Sequence, residues 1–482
     1  MLYIGVDLGT SAVKLLLMDG EGRIHKIVSK EYPLYFPHPG WSEQKPEDWY
    51  EQTMAGIKEL IAEADKSQIA GISFGGQMHG LVILDDQDQV IRPAILWNDG
   101  RTYEECDYLN NVIGKDKLSE YTANISFTGF TAPKILWVKN KEPENFKKIK
   151  KIMLPKDYIA YKLTGVHCTD VSDASGMLLL DVKNRKWSKE MCEICGISEE
   201  MLPKLYESYE CVGCVTEEVA KELGISATVK VAAGAGDNAA AAVGTGTVGD
   251  GMCNISLGTS GTIFISSDKF GVDKNNALHA FAHADGHYHL MGCMLSAASC
   301  NKWWMEEIIG TKEYAKEQEP ITDDRLGENH VYFLPYLMGE RSPHNNPNAR
   351  GTFIGLTMDS TRADMTQAVL EGVAFALRDS FEVAKSLGIR IERTKICGGG
   401  AKSPLWKKII ANVMNLKVDV PENVTIVGGK TGTTDEAGYC LILMEKDSSD
   451  NPYISIVMGA SEKPVLYEDM TSLIEAIPSG QQ

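Results

Sequence analysis

Residues 4–14 read Ile4-Gly-Val-Asp-Leu-Gly-Thr-Ser-Ala-Val-Lys14, and residues 254–264 read Asn254-Ile-Ser-Leu-Gly-Thr-Ser-Gly-Thr-Ile-Phe264. In each stretch an apolar run of β-type leads into Leu-Gly-Thr-Ser, and a second β-type run follows. This pattern predicts a hairpin whose turn is made of glycine and hydroxyl residues. Because the motif recurs past the middle of the chain, the sequence predicts two related halves.

Helix-like and strand-like segments alternate around the two motifs. Residues 46–64 are predicted to be helical, and the β-type run at 68–74 follows them. A long amphipathic helix is predicted over 365–384, with a capping pair at Thr361 and Asp364 and an end near Gly388. Such alternation in a chain of 482 residues predicts an α/β protein of two domains.

Composition excludes several classes of partner. The chain carries 48 Lys and Arg against 66 Asp and Glu, a formal net charge of -18, which disfavours nucleic acid. No signal peptide and no apolar stretch long enough to cross a bilayer is recognised in the sequence. We therefore predict a soluble, cytoplasmic protein with no membrane partner.

The eleven cysteines are an odd number spread along the chain, which indicates reduced thiols rather than a disulfide framework. Four of them, Cys192, Cys195, Cys211 and Cys214, have the Cys-x2-Cys-x15-Cys-x2-Cys spacing of a zinc site. The alternative is that all four are small core residues. The sequence favours core thiols and leaves zinc open.

Two loops have the composition that a nucleotide's phosphates require. Gly9-Thr10-Ser11 and Gly258-Thr259-Ser260-Gly261 offer backbone N–H groups and hydroxyls with little side-chain bulk. Asp7, at the end of the first predicted strand, is suited to hold Mg²⁺ through water. One such turn alone is an ordinary hairpin, but a duplicated pair predicts a phosphate site.

Asp237 stands between a glycine-rich stretch and a run of alanines that predicts a helix. An acid at a helix start is often only a cap. Phosphoryl transfer to an alcohol, however, needs a carboxylate that accepts the hydroxyl proton. Asp237 is therefore a candidate general base, with the capping role as its alternative.

Three motifs together resemble the FGGY carbohydrate kinases over about residues 1–422. They are Asp7-Leu-Gly-Thr-Ser11, Ser256-Leu-Gly-Thr-Ser-Gly261 and Gly398-Gly-Gly-Ala-Lys-Ser403, which correspond to two phosphate motifs and an adenosine motif. The resemblance implies two actin/hexokinase/Hsp70-like (RNase H-like) α/β domains, residues 1–245 and 246–422, with a cleft between them. It implies ATP as the phosphoryl donor and Mg²⁺ as the metal.

The resemblance also implies roles for individual residues. Asp237 corresponds to the family's general base, and Mg²⁺ is expected at Asp7, through water, and at Asp237. The sugar site is expected at Met78, His79, Trp97, Asn98, Asp99 and Asp237. The nucleotide is expected at Gly9, Thr10, Ser11, Lys14, Gly258, Thr259, Ser260, Gly399, Gly400 and Ala401. His79 and Trp97 each retain the alternative of a residue that only fills the core.

Within the family, further segments resemble the xylulose branch: Gly76-Gln-Met-His-Gly80, Ile95-Leu-Trp-Asn-Asp-Gly-Arg101, Phe130-Thr-Ala-Pro-Lys134, Leu154-Pro-Lys-Asp157 and Gly339-Glu-Arg-Ser-Pro-His-Asn-Asn-Pro347. This resemblance implies phosphorylation of a ketopentose, D-xylulose, to D-xylulose 5-phosphate. The remaining alternatives are a sugar-binding relative with impaired catalysis, and a superfamily ATPase that changes shape or takes another polyol. A homodimer is one option for the assembly, which the sequence does not decide.

Residues 423–482 depart from the kinase pattern. The stretch around Lys430-Thr-Gly432 resembles the Lys-Thr-Gly strand and hairpin of D-Ala-D-Ala carboxypeptidases. Such an enzyme places its Ser-x-Asn before that strand, whereas Ser449-Asp-Asn451 comes after it, so acyl transfer is not expected. We predict a non-family C-terminal tail that truncates the second kinase domain, with a strand at 453–458 and a helix at 465–477.

Overall fold

The computed structural model describes residues 1–419, 440–446 and 452–458. The chain divides into two compact units. Of the described residues, the first unit contains Met1–Gly246, Ala280–His287, 440–446 and 452–458, and the second contains Thr247–His279 and 288–419. Each unit is described by itself.

The first unit is an α/β structure. Its strands are β1 Leu2–Leu8, β2 Ala12–Asp19, β3 Ile24–Glu31, β4 Glu43–Gln44, β5 Ile69–Gly76, β6 Val82–Leu84, β7 Ala94–Ile95, β8 Lys151–Met153, β9 Cys168–Asp170, β10 Leu180–Asp181, β11 Lys186–Trp187, β12 Lys204–Tyr206, β13 Cys211–Cys214, β14 Lys230–Ala232 and β15 Ala235–Gly236. Its helices are α1 Pro46–Leu60, α2 Tyr103–Asp107, α3 Lys115–Thr122, α4 Thr131–Lys141, α5 Pro143–Phe146, α6 Pro155–Thr164, α7 Val171–Ala174, α8 Lys189–Cys195, α9 Glu217–Leu223 and α10 Asp237–Gly244.

One mixed sheet forms the centre of this unit, in the order β13-β14-β5-β1-β2-β3, with β15 also pairing with β5. Strands β1 and β2 form the predicted hairpin, antiparallel, with Leu8 opposite Val13. Strand β5 runs parallel to β1 and to β14. The inner strands are apolar on both faces, as expected for strands covered by helices, and they form the core.

Helix α1 ends at Leu60, earlier than the predicted end at residue 64. The reason is local: the Asp65 side chain accepts a hydrogen bond from the Ser67 N–H and so starts a separate 3₁₀ turn at Lys66–Gln68. An acid that caps the next turn competes with continuation of the helix.

From residue 253 onward the strands are β16 Cys253–Leu257, β17 Gly261–Ser267, β18 His279–Ala282, β19 Tyr288–Met294, β20 Tyr332–Leu334, β21 Thr352–Ile354, β22 Arg393–Cys397 and β23 Lys417–Asp419. The helices are α11 Ala298–Lys302, α12 Tyr314–Gln318, α13 Arg362–Ser386 and α14 Pro404–Met414. The sheet of the second unit includes β19-β17-β16-β22-β23 in that order. Strands β16 and β17 form the second predicted hairpin, with Leu257 opposite Gly261.

The long helix α13 confirms the prediction for residues 365–384. The Thr361 hydroxyl accepts from the Asp364 N–H and the Asp364 carboxylate accepts from the Thr361 N–H, which is a capping box. Gly388 follows the helix with a φ of 86°, a conformation that glycine adopts without strain. Capping and spacing together therefore set both ends of this helix.

The tail is described at two strands, β24 Cys440–Lys446 and β25 Pro452–Met458, which pair antiparallel. The strand predicted at 453–458 is thus present. The rest of the carboxypeptidase-like segment 423–482, including the helix predicted at 465–477, lies outside the described residues. Among the described residues, no helix is both long and apolar enough to cross a membrane.

The interpretation of four core thiols is wrong for two of them. Cys192 and Cys195 are buried on α8, but Cys211 and Cys214 are exposed. They lie on β13, which pairs with β14 and is an edge strand among the strands that the structure describes. Within the part of the chain that the structure describes, no group of three or more His, Cys, Asp or Glu side chains is arranged to hold a metal ion.

Candidate active site

The first phosphate loop is a tight turn that connects β1 to β2. The Gly9 N–H donates to the Ala12 carbonyl at 3.1 Å and closes the turn. The Gly9 carbonyl accepts from the Tyr32 hydroxyl, and the Thr10 carbonyl accepts from the Gln44 side-chain amide at 2.6 Å. Buried side chains therefore hold the carbonyls of this loop in place, which orders its backbone.

Two glutamines missed by the sequence reasoning support the same loop. The Gln44 carbonyl oxygen accepts from the indole N–H of Trp49 and from the Gln77 amide, both at 3.0 Å. The Gln77 backbone N–H donates to the Leu8 carbonyl at 2.9 Å. Both glutamines are buried. Gln77 lies inside the quoted Gly76–Gly80 segment, so its position next to Met78 was the available signal.

Asp7 and Asp237 lie at the carboxyl ends of strands in the first sheet. Asp7 on β1 is in register with Gly75 on β5, and Ala235 on β15 is in register with the same Gly75. Adjacent strands are about 4.8 Å apart, so the Cα atoms of Asp7 and Ala235 are separated by two strand spacings, about 10 Å. Asp237 begins α10 two residues after Ala235 and is 9% exposed. The residues of β5 that lie between these two positions are the glycines Gly75 and Gly76.

This donor set fits Mg²⁺. The metal takes few carboxylates, keeps several of its own waters and needs room for them. Asp7 and Asp237 are the two carboxylates that the carboxyl ends of β1 and β15 offer to such a metal.

Met78 packs directly against the residues around Asp237. Its sulfur accepts from the Asn238 side-chain amide at 3.7 Å. A Cβ atom added to Gly236 would lie 2.9 Å from that sulfur, so any larger residue there would displace the Met78 side chain. Met78 is buried, and the fold brings it beside the candidate general base.

His79 is held by its backbone and by its ring. Its φ is 70°, an unusual conformation for a side-chain-bearing residue, and its carbonyl accepts from Thr131 at 3.0 Å and from Lys134 at 2.9 Å. Its Nδ1 lies 2.8 Å from the Gly176 carbonyl. Because a carbonyl accepts only, Nδ1 carries the proton, and Nε2 of the neutral ring is an acceptor. The Gly176 carbonyl thus fixes the orientation of the His79 ring.

The three residues 97–99 have different environments. Trp97 is half-buried and donates its indole N–H to the Thr10 hydroxyl at 3.0 Å, which joins the predicted sugar segment to the first phosphate loop. Asn98 is exposed. Asp99 is buried, and its oxygens accept from the Ser42 N–H at 2.6 Å and from Arg101 Nε at 2.9 Å.

Asp99 forms a buried ion pair with Arg101. Its guanidinium also lies 2.7 Å from Glu43 and 3.7 Å from the ring centroid of Trp41. This buried ion pair uses both oxygens of Asp99, since Arg101 Nη2 is 2.7 Å from the second. Asp99 therefore holds the segment that carries Trp97 and Asn98, and its contact with the sugar stays a prediction.

A buried ionic cluster lies behind Asp237 and was not predicted. Lys156 Nζ lies 2.8 Å from Asp157, 2.9 Å from Asp170 and 3.6 Å from Asp173, and all four side chains are almost fully buried. Burial opposes the charge on Lys156, but attraction by the three carboxylates outweighs it and raises its pKa well above the ordinary value. The sequence signal was a set of acids within apolar segments.

Burial also raises the pKa of Asp173 well above its ordinary value, against the attraction of Lys156. Asp157, Asp170 and Asp237 add repulsion in the same direction. One lysine cannot balance three carboxylates in a poorly solvated region, so the shift is expected on charge grounds.

In the second unit, the two segments predicted to bind the nucleotide, around Gly258 and around Gly398, lie close together. The Gly258 carbonyl accepts from the Ala298 N–H at 2.9 Å, and the Thr259 carbonyl accepts from the Ser299 hydroxyl at 2.8 Å. Gly398 has a φ of 88°, and a Cβ atom there would lie 2.6 Å from the Leu257 carbonyl group. The adenosine-type glycines therefore pack directly on the strand that leads into the second phosphate loop.

The individual glycines of that motif differ. A Cβ atom on Gly400 would lie 2.9 Å from the Leu257 side chain and from the Trp406 ring, whereas one on Gly399 would meet nothing within 4 Å. The Ala401 N–H donates to the Gly398 carbonyl at 3.0 Å. Gly400 is thus required by packing, and Gly399 leaves open space at this turn.

Comparison with known sequence families identifies the family to which the chain belongs. The FGGY family of carbohydrate kinases matches twice, its N-terminal domain at residues 2–244 and its C-terminal domain at residues 253–428. This chain belongs to the FGGY family of carbohydrate kinases. As a member of that family it is an enzyme that phosphorylates a sugar, with ATP as the phosphoryl donor.

Individual relatives cover most of the chain. A xylulose kinase of Escherichia coli (strain K12) is 42% identical over 419 residues, 87% of this chain and 86% of its own length. A ligand-bound xylulose kinase from Lactobacillus acidophilus has a TM-score of 0.81 at 29% identity, covering 86% of this chain and 85% of that one. A gluconate kinase from the same organism has a TM-score of 0.81 at 26% identity, covering 99% and 97%.

These matches confirm the family resemblance and the predicted fold class. The FGGY chain has two domains of the actin/hexokinase-like α/β fold, and its structural neighbours are sugar kinases. They also set aside an ATPase that acts only by changing shape, because the matched family transfers phosphate to carbohydrates. The family match ends at residue 428.

Proposed function

We propose that this FGGY kinase phosphorylates D-xylulose to D-xylulose 5-phosphate with ATP, and that Asp237 is the general base. The observation that carries the proposal is the position of Asp237 at the start of α10, beside Met78 and at the sheet edge that also carries Asp7. Kinases that are named for xylulose among its relatives support the choice of sugar.

The chemistry at Asp237 is a proton transfer coupled to phosphoryl transfer. A sugar hydroxyl gives its proton to the carboxylate while its oxygen forms a bond to the γ-phosphorus of ATP. The bond between that phosphorus and the β,γ-bridging oxygen breaks, and ADP leaves with the electron pair. The carboxylate then returns its proton to solvent or product.

The sugar is a polyol, so its site must match hydroxyls with fixed donors and acceptors. We assign Nε2 of His79 as an acceptor, because Nδ1 is committed to the Gly176 carbonyl. Asn98 is assigned as an exposed amide and Trp97 as an apolar wall tethered to Thr10. Asp99 is assigned to holding this segment through Arg101.

The donor nucleotide is assigned to the two glycine-hydroxyl loops. We propose that Gly9, Thr10, Ser11 and Lys14 of the first unit and Gly258, Thr259 and Ser260 of the second contact phosphates. The adenosine end is assigned to Gly399, Gly400 and Ala401. Mg²⁺ would be held by Asp7 through water and by Asp237, and when bound it neutralises charge on the phosphates.

The first experiment measures ADP release by the full chain with magnesium and excess ATP, with and without D-xylulose. We expect turnover that depends on the sugar, with D-ribulose and D-gluconate as comparison substrates. Faster turnover of D-gluconate than of D-xylulose would mean that D-gluconate, and not D-xylulose, is the substrate. ATP hydrolysis that ignores every sugar would contradict the proposal, and sugar binding by calorimetry without turnover would indicate an impaired relative.

Asp237→Asn tests the assigned base. The amide keeps the size of the side chain but accepts a proton poorly, so we expect kcat to fall by about two orders of magnitude or more. Binding of D-xylulose, measured by calorimetry, is expected to remain within a few-fold. Unchanged kcat would remove Asp237 from the mechanism.

The proposal also covers the location of the protein in the cell and its assembly. We propose a cytoplasmic location, in keeping with ATP as substrate, and test it by fractionating the cells that make the protein. We propose a homodimer as the assembly, and light scattering at several protein concentrations measures it. A mass of 52.9 kDa at all concentrations would instead indicate a monomer.

A further inference from the structure

The short strand that precedes Asp237 has little secondary structure to hold it. Strand β15 consists of Ala235 and Gly236, and it pairs with β5 through those two residues. Gly236 is also the residue before the first turn of α10, where it offers no side chain to cap the helix. Asp237 Oδ1 accepts from the Asn238 N–H at 2.7 Å, so the direction of its side chain depends on that bond and on the contacts that hold the backbone just before it.

One such contact comes from Ser172. Its Oγ accepts from the Gly236 N–H at 3.1 Å. The same hydroxyl donates to Asp170 Oδ2 at 2.5 Å, and because a carboxylate only accepts, this bond sets the hydrogen's direction. The lone pairs of Ser172 are thereby turned toward Gly236. Ser172 is fully buried, so solvent offers no replacement acceptor.

Asp170 is in turn fixed by charge. Lys156 Nζ lies 2.9 Å from its Oδ1, and the same ammonium lies 3.4 Å from the Ala233 carbonyl, on the segment that leads into β15. Asp170 Oδ2 also accepts from the Ser172 N–H at 2.9 Å. The buried cluster therefore contacts the chain before Asp237 at two places, at Gly236 in β15 and at Ala233, two residues before that strand.

We propose that Ser172, oriented by Asp170 and Lys156, is a positioning residue that fixes the backbone at Gly236 and so aims Asp237 at the sugar hydroxyl. This inference rests on the proposed role of Asp237. It adds residues that touch neither substrate nor nucleotide, and it gives the buried cluster a part in catalysis.

The chain offers a matched control. The Ser208 hydroxyl donates to the same Asp170 Oδ2 at 2.6 Å and is equally buried. Ser208 reaches the segment before Asp237 through its backbone carbonyl, which accepts from the Gly234 N–H at 3.0 Å and survives loss of the hydroxyl. Ser172→Ala and Ser208→Ala thus each remove one hydroxyl from Asp170, but the first alone removes the acceptor of Gly236.

The kinetic test compares these two variants with D-xylulose and ATP. For Ser172→Ala we expect kcat to fall by about tenfold to a hundredfold, the usual cost of misplacing a reacting group, with KM for D-xylulose within about twofold. For Ser208→Ala we expect both constants within about twofold. Unchanged kcat in Ser172→Ala, or equal losses in both variants, would overturn the inference.

A second measurement does not need activity. Amide hydrogen exchange, followed by mass spectrometry on the peptide that contains Gly236, should speed up in Ser172→Ala and not in Ser208→Ala. Equal exchange in both would overturn the inference whatever the kinetics show. Ser172→Cys, which keeps a weak acceptor, should fall between wild type and alanine and serves if the alanine variant folds poorly. An Asp237→Asn variant with full activity would instead overturn the proposed base.

Discussion

The indole N–H of Trp97 donates to the hydroxyl of Thr10 at 3.0 Å. One residue belongs to the segment assigned to the sugar and the other to the first phosphate loop. A hydrogen bond between these two segments couples the order of one to that of the other.

Trp97→Phe removes this donor while keeping an aromatic ring. A single hydrogen bond contributes about 0.5–1.5 kcal/mol, so we expect KM for both ATP and D-xylulose to rise by about twofold to tenfold. Steady-state kinetics with each substrate varied in turn measure this. Trp187→Phe is the control, since it loses an indole bond to the Pro203 carbonyl at 3.0 Å on a different part of the unit. A rise in KM for the sugar alone would show that the bridge does not couple the two sites.

Gly176→Ala should damage the sugar site through His79. A Cβ atom at residue 176 would lie 2.3 Å from the imidazole, so the ring must move. Overpacking of this kind costs about 1–3 kcal/mol, and we expect KM for D-xylulose to rise by about tenfold, with KM for ATP little changed. Gly20→Ala is the control, because the nearest atom to a Cβ there is 3.9 Å away. Equal kinetics in the two variants would contradict the role of His79.

Lys134 should make stability depend on pH. Burial lowers its pKa to about 7, against the attraction of Asp99. Between about pH 7 and 10 the unfolded chain keeps a proton that the folded chain has lost, so this residue adds stability as pH rises. Urea unfolding of wild type and of Lys134→Met at pH 7, 8 and 9 measures the free energy of unfolding of each. The gap between them, wild type minus variant, should increase with pH.

The exposed Lys141 on the same helix provides the control. Its pKa is raised by its hydrogen bond to Glu104, so its contribution to stability has no such rise over this range. Lys141→Met should therefore keep a nearly constant gap to wild type from pH 7 to 9. A constant gap for Lys134→Met as well would mean that Lys134 stays charged in the folded protein.

Glu340, in the second unit, should make stability fall as pH rises, which is the opposite of the effect of Lys134. Burial raises its pKa to about 7, against hydrogen bonds from the N–H groups of Leu295 and Arg341. The folded chain then holds a proton that the unfolded chain has lost between about pH 4.5 and 7, so stability falls as pH rises through this window. Glu340→Gln should flatten the decline in thermal midpoint between pH 5 and 7.5. A parallel decline in both proteins would assign it to other groups.

Local features were predictable because neighbouring residues decide them. The two Gly-Thr-Ser hairpins, the capped helix at Arg362–Ser386 and the glycines after Cys397 all follow from turn and capping preferences over a few residues. The end of α1 was missed even so, because Asp65 began a competing turn. The family resemblance followed from motifs that are themselves such local turns.

Partnerships between distant residues required the tertiary structure. Asp99 accepts from Ser42, 57 residues earlier in the chain, and a linear pattern of sugar-site residues cannot show that its oxygens are already used. Cys211 is exposed and Val212 next to it is buried, and which face of β13 the core covers is decided by the whole sheet. In each case burial and the choice of partner are set by packing of segments far apart in sequence.

By itself the sequence determined the α/β class, the duplicated phosphate turns and the family, because backbone preferences of adjacent residues encode them. The tertiary structure decided which polar side chains support the site from behind, among them Gln44, Gln77 and the cluster of Lys156 with Asp170 and Ser172. A buried polar group must find its partner wherever the fold places one, and that partner is seldom a neighbour in the chain.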